Sequence, residues 1–100
     1  MSNNKYRISQ QAIEDLNKIW IYTLNKWSKE QADRYYDLII AEIEFIAENY
    51  LAGKSAEQTR KNYRVSKVKS HLLFYRKVDN EMVEIVRILH QRMDIKKHLK

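Results

Sequence analysis

After a short alternating start, the hydrophobic period of this chain is helical until its single glycine, where it changes to two. Before Gly53 the apolar residues recur at helical spacing, and after it they alternate. The chain has no proline. Few residues can therefore interrupt a helix, and the turns must rely on Asn, Asp, Ser and Gly53. The chain is thus bound to an α+β arrangement, with a helical half followed by a stranded half.

The segment Lys5-Tyr6-Arg7-Ile8 alternates and reads as a short strand with Tyr6 and Ile8 inward. Ser9 is placed to cap the helix that follows. In that helix Ala12, Leu16, Ile19, Trp20, Thr23 and Trp27 share one stripe, while Glu14, Asp15 and Lys18 lie elsewhere around it. Trp20 and Trp27 are seven positions apart, close to two turns, so both are expected in the core. Tyr22 falls off the stripe and is expected at the surface. Ser28 starts a second helix, with Gln31 three residues on and Glu30 in the first turn. Ala32, Tyr35, Tyr36, Ile39, Ile40, Ile43, Ile46, Ala47 and Tyr50 give it a broad apolar stripe over about twenty residues. Neither stripe can remain in water alone, and the tight join at Ser28 makes the pair a hairpin.

From Ala52 to Lys61 the sequence reads as an irregular basic connection. Tyr63–Lys69 and Leu72–Val78 follow as strands, Asp79-Asn80-Glu81 supplies turn chemistry, and Met82–Leu89 is the most strand-like run. The residues from Gln91 are expected to form a short helical tail. The predicted order is β-α-α-β-β-β in a single domain over residues 1–100. A helical hairpin covers one face of a small, mainly antiparallel four-stranded sheet, and the other face is open.

Charge is segregated along this order. Residues 1–50 carry six Lys/Arg against eight Asp/Glu, and residues 51–100 carry thirteen against five, so the net +6 belongs to the stranded half. The absence of cysteine excludes disulfides and thiolate metal sites. Met1-Ser2-Asn3-Asn4 is not the apolar run of a secretory signal, and no stretch reaches the ~20 apolar residues that cross a bilayer. The expectation is a soluble cytoplasmic protein with no membrane partner.

Arg64, Lys67, Lys69, Arg76, Lys77 and Arg87 fall in or beside the strands, and several should reach solvent on the open face. Alternating with Tyr63, Phe74 and Tyr75, they suit nucleic-acid or ribosome contact, and equally a solvated or protein-binding surface. A DNA-reading helix-turn-helix is disfavoured by the acidic second helix, with Asp37, Glu42, Glu44 and Glu48. Metal-free RNA cleavage would need cations and a proton carrier. Arg60, Lys61, Arg64, Lys67, Lys69, Arg76, Arg87, His90 and Arg92 supply an inventory without a diagnostic spacing. No catalytic residue is assigned on this basis. His71, His90 and His98 have no zinc-site spacing, and neither a metal nor another cofactor is expected. His90-Gln91-Arg92-Met93-Asp94 reads as a local closure through Asp94 with Arg92 or His90, or as a target contact. An acidic peptide completing the open sheet or filling a groove beside the hairpin is a further reading.

Several segments resemble ParE-type toxins of bacterial toxin–antitoxin modules. They are Tyr6-Arg7-Ile8-Ser9, Ala12-Ile13-Glu14-Asp15-Leu16 with Ile19-Trp20, Gln31-Ala32-Asp33-Arg34-Tyr35, Ser70-His71-Leu72-Leu73-Phe74-Tyr75-Arg76 and Val86-Arg87-Ile88-Leu89-His90-Gln91-Arg92-Met93-Asp94. The resemblance spans about residues 5–99 and is most specific in the last segment. It implies the small α/β fold of the ParE/RelE superfamily. It also implies a cognate acidic antitoxin that wraps the toxin and is itself the part that binds operator DNA. DNA gyrase is the implied target, inhibited by protein contact. The alternative within the superfamily is ribosome-dependent mRNA cleavage, for which many members use a tyrosine near the C-terminus; here no tyrosine follows Tyr75. Arg64, Lys67, Lys69, Arg76, Arg87, His90 and Arg92 are the candidate contacts for target or antitoxin.

Overall fold

The computed structural model describes residues 6–79 and 82–99. Strand β1 (Tyr6–Ile8) leads into helix α1 (Gln10–Lys26) and helix α2 (Lys29–Glu48). A single 3-10 turn, Tyr50–Ala52, then gives way to β2 (Lys54–Ser55), β3 (Arg64–Val68), β4 (His71–Lys77), β5 (Val83–His90) and the one-turn helix α3 (Ile95–His98). The predicted α+β order is therefore the observed one, with one added strand. Of the expected turn Asp79-Asn80-Glu81, Asn80 and Glu81 lie outside the described residues. At its flanks the Val78 N–H donates to the Met82 carbonyl at 2.9 Å.

Both helix starts are fixed by serine. The Ser9 hydroxyl accepts the Ala12 N–H at 3.0 Å, and the Ser28 hydroxyl accepts the Gln31 N–H at 3.1 Å. Each cap satisfies a backbone donor that has no partner within the helix, a contribution of about 1 kcal/mol. The sheet has five strands in the order β1-β5-β4-β3-β2. The first strand lies parallel to the last, with Tyr6 opposite Val83 and Ile8 opposite Ile85, and all other pairings are antiparallel.

The expected irregular connection contains β2, a two-residue strand opposite Val65 and Arg64. Its position follows from Gly53. A Cβ there would lie against the Tyr75 hydroxyl and 2.7 Å from the Val65 carbonyl oxygen. Only a residue without a side chain lets the backbone approach this closely. The Gly53 N–H donates to the Tyr75 hydroxyl at 3.0 Å, and that hydroxyl donates to the Tyr50 carbonyl at 2.8 Å.

The main core lies between the hairpin and the sheet. Ala12 and Leu16 of α1 and Ile39, Ile43 and Ile46 of α2 pack on Leu73, Tyr75, Val83, Ile85 and Ile88. Complete burial of one such isoleucine contributes roughly 1.5–3 kcal/mol. Tyr6 and Ile8 pack against this cluster, as the alternation predicts.

The opposite face departs from expectation because it is partly covered. A second cluster joins Phe74 and Leu89 of the sheet to Ala56, Tyr63 and Leu99, with Ile95 of α3 packed beside them. Two arginines tether the tail by the carbonyls of His98 and Leu99. Arg60 Nη1 donates to the Leu99 oxygen at 2.9 Å, and Arg87 Nη1 to the His98 oxygen at 3.0 Å. The helical part of the tail is shorter than the run from Gln91 suggested, because residues 91–93 make turns: the Gln91 N–H donates to the Ser70 carbonyl and the Met93 N–H to the His90 carbonyl.

Candidate functional site

β5 has a partner on its outer edge only as far as β1 extends. Beyond Ile85, side chains and a loop amide take over that edge. The Ser9 N–H donates to the Ile85 carbonyl at 3.0 Å and the Ser9 hydroxyl to the Val86 carbonyl at 2.7 Å. Asp15 on α1 accepts the Ile88 N–H at 3.0 Å. At this place Phe74 pairs with Arg87 but Tyr75 pairs with Ile85, so Val86 is an extra residue on β5. Such a bulge re-aims the residues beside it. Arg87 donates to Asp15 from Nε at 2.8 Å and from Nη2 at 2.9 Å. Their side chains are 15% and 10% exposed, so the pair is largely withdrawn from solvent. The hydrogen bonds to Asp15 hold the Arg87 pKa above its usual value.

Two further candidate arginines have structural partners. Glu84 bridges Arg7 of β1, at 3.2 Å, and Arg76 of β4, at 3.0 Å, in a row of charge across three strands. The register places all three residues opposite one another. Arg64 donates to the carbonyls of Leu51 and Gly53, and its guanidinium lies 5.7 Å from the centroid of the Tyr50 ring. Lys77 sits over the same ring at 4.7 Å.

The other candidates gather at one end of the sheet. Lys67 is exposed near the end of β3, and Lys69 is exposed in the two-residue turn joining β3 to β4. Lys69 has φ of 52°, the left-handed conformation suited to a tight hairpin. The Gln91 N–H bonds to the Ser70 carbonyl at 2.8 Å, which brings the segment containing exposed Arg92 alongside that turn. His90 pairs with His71 across β4 and β5, with ring centroids 5.2 Å apart and nearly perpendicular planes. The local closure after β5 runs through His90 Nδ1, which accepts the Arg92 N–H at 3.1 Å, and not through Asp94 as the sequence suggested. Asp94 stands before α3 without a side-chain capping bond.

Beside this end opens a cleft of about 620 Å³ between the tip of the hairpin and the β3–β4 turn. Tyr35 forms part of its wall. The Tyr35 hydroxyl donates to the Val68 carbonyl at 3.0 Å and meets His71 Nδ1 at 2.7 Å. Burial pushes the His71 pKa down to about 4, with His90 contributing, and raises that of Tyr35. Trp27 belongs to the same wall and corrects the expected core role: it is 67% exposed. The helix has ended at Lys26, which leaves Trp27 at the tip of the hairpin and off the face that packs on the sheet. Tyr22 is 62% exposed, as its place off the stripe predicts.

A smaller groove of about 430 Å³ lies on the hairpin, lined from both helices. Asn17, Trp20, Ile21, Asp33 and Tyr36 line it, and Ile21 and Tyr36 are exposed. Trp20 is half-buried. Its Nε1 donates to Asp33 at 2.9 Å, and Lys29 pairs with the other oxygen of the same carboxylate at 2.9 Å. Both bonds lower the Asp33 pKa. Among the described residues no three His, Cys, Asp or Glu side chains form a metal-binding group, and no helix is long and apolar enough to cross a membrane.

Residues 6–95 match the family model of the ParE toxin of the type II toxin–antitoxin system parDE. The chain is 43% identical over 94 residues to Toxin ParE1 of Caulobacter vibrioides, covering 94% of this chain and 96% of that protein. It is 34% identical over 97 residues to Toxin ParE1 of Mycobacterium tuberculosis, covering 97% and 99%. A chain in the solved structure of the chromosomal ParDE TA system from P. aeruginosa superposes with a TM-score of 0.74 at 19% identity, over 85% of this chain and 92% of that one.

Proposed function

Given that the chain belongs to the ParE toxins of type II toxin–antitoxin systems, we propose that it inhibits DNA gyrase by protein contact and that its acidic antitoxin docks on the helical hairpin. The observation carrying this reading is the division of labour among the basic residues. Arg64, Arg76 and Arg87 hold the fold together, whereas Lys67, Lys69 and Arg92 are exposed at one end of the sheet. That end is suited to an acidic protein surface, because complementary charge speeds encounter and fixes orientation. The groove between the helices suits an amphipathic antitoxin segment, with Ile21 and Tyr36 as apolar contacts. Operator DNA is then reached only through the antitoxin. No residue is assigned a catalytic role.

A supercoiling assay with purified toxin and gyrase tests the target. Inhibition, or accumulation of cleaved DNA complexes, is expected at stoichiometric excess. Gyrase that keeps full activity beside toxin that still arrests growth overturns the gyrase reading. Ribosome-dependent mRNA cleavage in a parallel reaction would replace it with the other activity of the superfamily.

A further inference from the structure

The cleft beside the β3–β4 turn combines features that neither gyrase contact nor the hairpin groove requires. Its walls carry three cations, Lys26, Arg34 and Lys69, and no Asp or Glu. Two aromatic side chains, Tyr22 and Trp27, stand 62% and 67% exposed at its rim. Burying such rings against a planar ligand recovers apolar contact, and each ring offers a face for stacking. Lys26 lies 6.0 Å from the Tyr22 ring, so a positive charge accompanies a stacking surface. The volume of about 620 Å³ is that of a site for a small organic ligand.

The imidazoles add polar specificity. The single hydroxyl hydrogen of Tyr35 goes to the Val68 carbonyl, so the bond to His71 is completed by a hydrogen on His71 Nδ1. The neutral His71 ring then has Nε2 as its acceptor. His90 Nδ1 accepts the Arg92 N–H, which leaves Nε2 as the ring nitrogen that carries hydrogen. Both imidazoles line the cleft from adjacent strands, and each ring is fixed through its Nδ1 by a bond to the protein.

From this geometry we infer that the cleft binds a nucleoside phosphate, with the base stacked on Trp27, the more exposed ring, and the phosphate held by the surrounding lysines and arginine. An aromatic ring with an attached dianion answers both the exposed ring faces and the unopposed positive charge. The source is either a free nucleotide or the terminal nucleotide of a single strand, because both carry the same group. The inference does not depend on gyrase being the target.

Titration of the ¹⁵N-labelled full chain with adenosine 5′-monophosphate tests it, reading the imidazole and indole signals. Saturable shifts at His71, His90 and Trp27 are expected. Adenosine and inorganic phosphate alone should each bind at least about tenfold more weakly, since each supplies half of the contacts. Trp27→Ala and Lys69→Asn should each weaken binding. The first removes an exposed ring, and the second keeps a residue that tolerates a positive φ, so both variants should remain folded. A 5′-phosphorylated oligonucleotide that moves the same signals more tightly identifies a strand end as the source. Tighter binding of the mononucleotide identifies the free ligand. Absence of saturable shifts at these residues, or equal binding by both variants, overturns the inference. So does an oligoglutamate peptide that moves the signals when the nucleotide does not, which would make the cleft a peptide site.

Discussion

Asp15 and Arg87 are joined by two hydrogen bonds, and the same carboxylate also accepts the Ile88 amide. One side chain of the first helix therefore stands in for a missing strand and neutralises the arginine beside it. Removing it strands both partners in a poorly solvated place. Asp15→Ala should lower the unfolding free energy by about 3 kcal/mol, the scale for breaking a buried pair from one side. Asp15→Asn should lower it less, because one acceptor remains. Urea denaturation of the three proteins checks the order, and equal stability would show that water repairs the edge.

Gly53 is tested by a single added carbon. Its φ is −78°, so the obstacle is space and not backbone conformation. Gly53→Ala should destabilise by about 2 kcal/mol, because the Val65 carbonyl on the facing side is backbone and cannot swing away. The Tyr75 hydroxyl would be displaced as well. Thermal unfolding measures the loss, and an unchanged midpoint would contradict the close approach.

The pH dependence of stability follows from His71. Its folded pKa, about 4, lies below the usual 6.5, so the unfolded chain binds a proton more readily. Stability from this group is complete above about pH 6.5 and is lost as pH falls toward 4. Tyr35 from α2, His90 from β5, the nearby Asp15 charge from α1 and Lys69 on the turn form its surroundings. A loss on the order of 1 kcal/mol is expected between pH 7 and pH 5. His71→Asn should remove that part of the slope. An identical slope in both proteins would assign the acid sensitivity elsewhere.

Charge reversal should separate fold from contact. Lys67→Glu and Arg92→Glu alter exposed residues and should change stability by less than about 0.5 kcal/mol. Both should weaken binding to gyrase and flatten its salt dependence. Arg76→Glu instead faces Glu84 and should destabilise the sheet itself. Calorimetric binding at low and moderate salt, on variants with verified folding, distinguishes the two classes. Salt-independent, undiminished affinity in the first pair would end the electrostatic account.

The hairpin groove makes a separate prediction for the antitoxin. Tyr36→Asp and Ile21→Asp change exposed apolar contacts, so the toxin should stay folded. Each should weaken antitoxin binding by about tenfold or more, the scale of an interface anchor. Competition binding with labelled antitoxin reads the change. Full affinity in both would move the docking site off this face.

The helices were legible because their signals are local. Ser9 and Ser28 cap where the stripes begin, and the isoleucines of α2 fall inward as their spacing requires. Other features depend on parts of the chain far apart in sequence. Strand β2 is two residues long and is created by Tyr75 reaching Gly53, which no periodicity announces. Trp27 continues the stripe in sequence after the helix beneath it has stopped. Arg87 looks like a surface cation on an alternating strand, but the extra residue at Val86 and Asp15, 72 positions earlier, give it a structural partner. The short helical tail expected from Gln91 carries no sign of a packing partner in its own sequence, yet Leu99 and Ile95 close a second small core.

The parallel pairing of β1 with β5 also sets a schedule. Residues made first must wait for residues made last, because Tyr6 lies opposite Val83 and Ser9 bonds beyond it to Val86. During synthesis the hairpin therefore emerges with its apolar stripes unpaired, and the sheet that covers them cannot be completed until almost the whole chain has left the ribosome. A polypeptide interrupted before β5 is not a weaker toxin but an unfinished one, and harm is deferred until the final strand arrives.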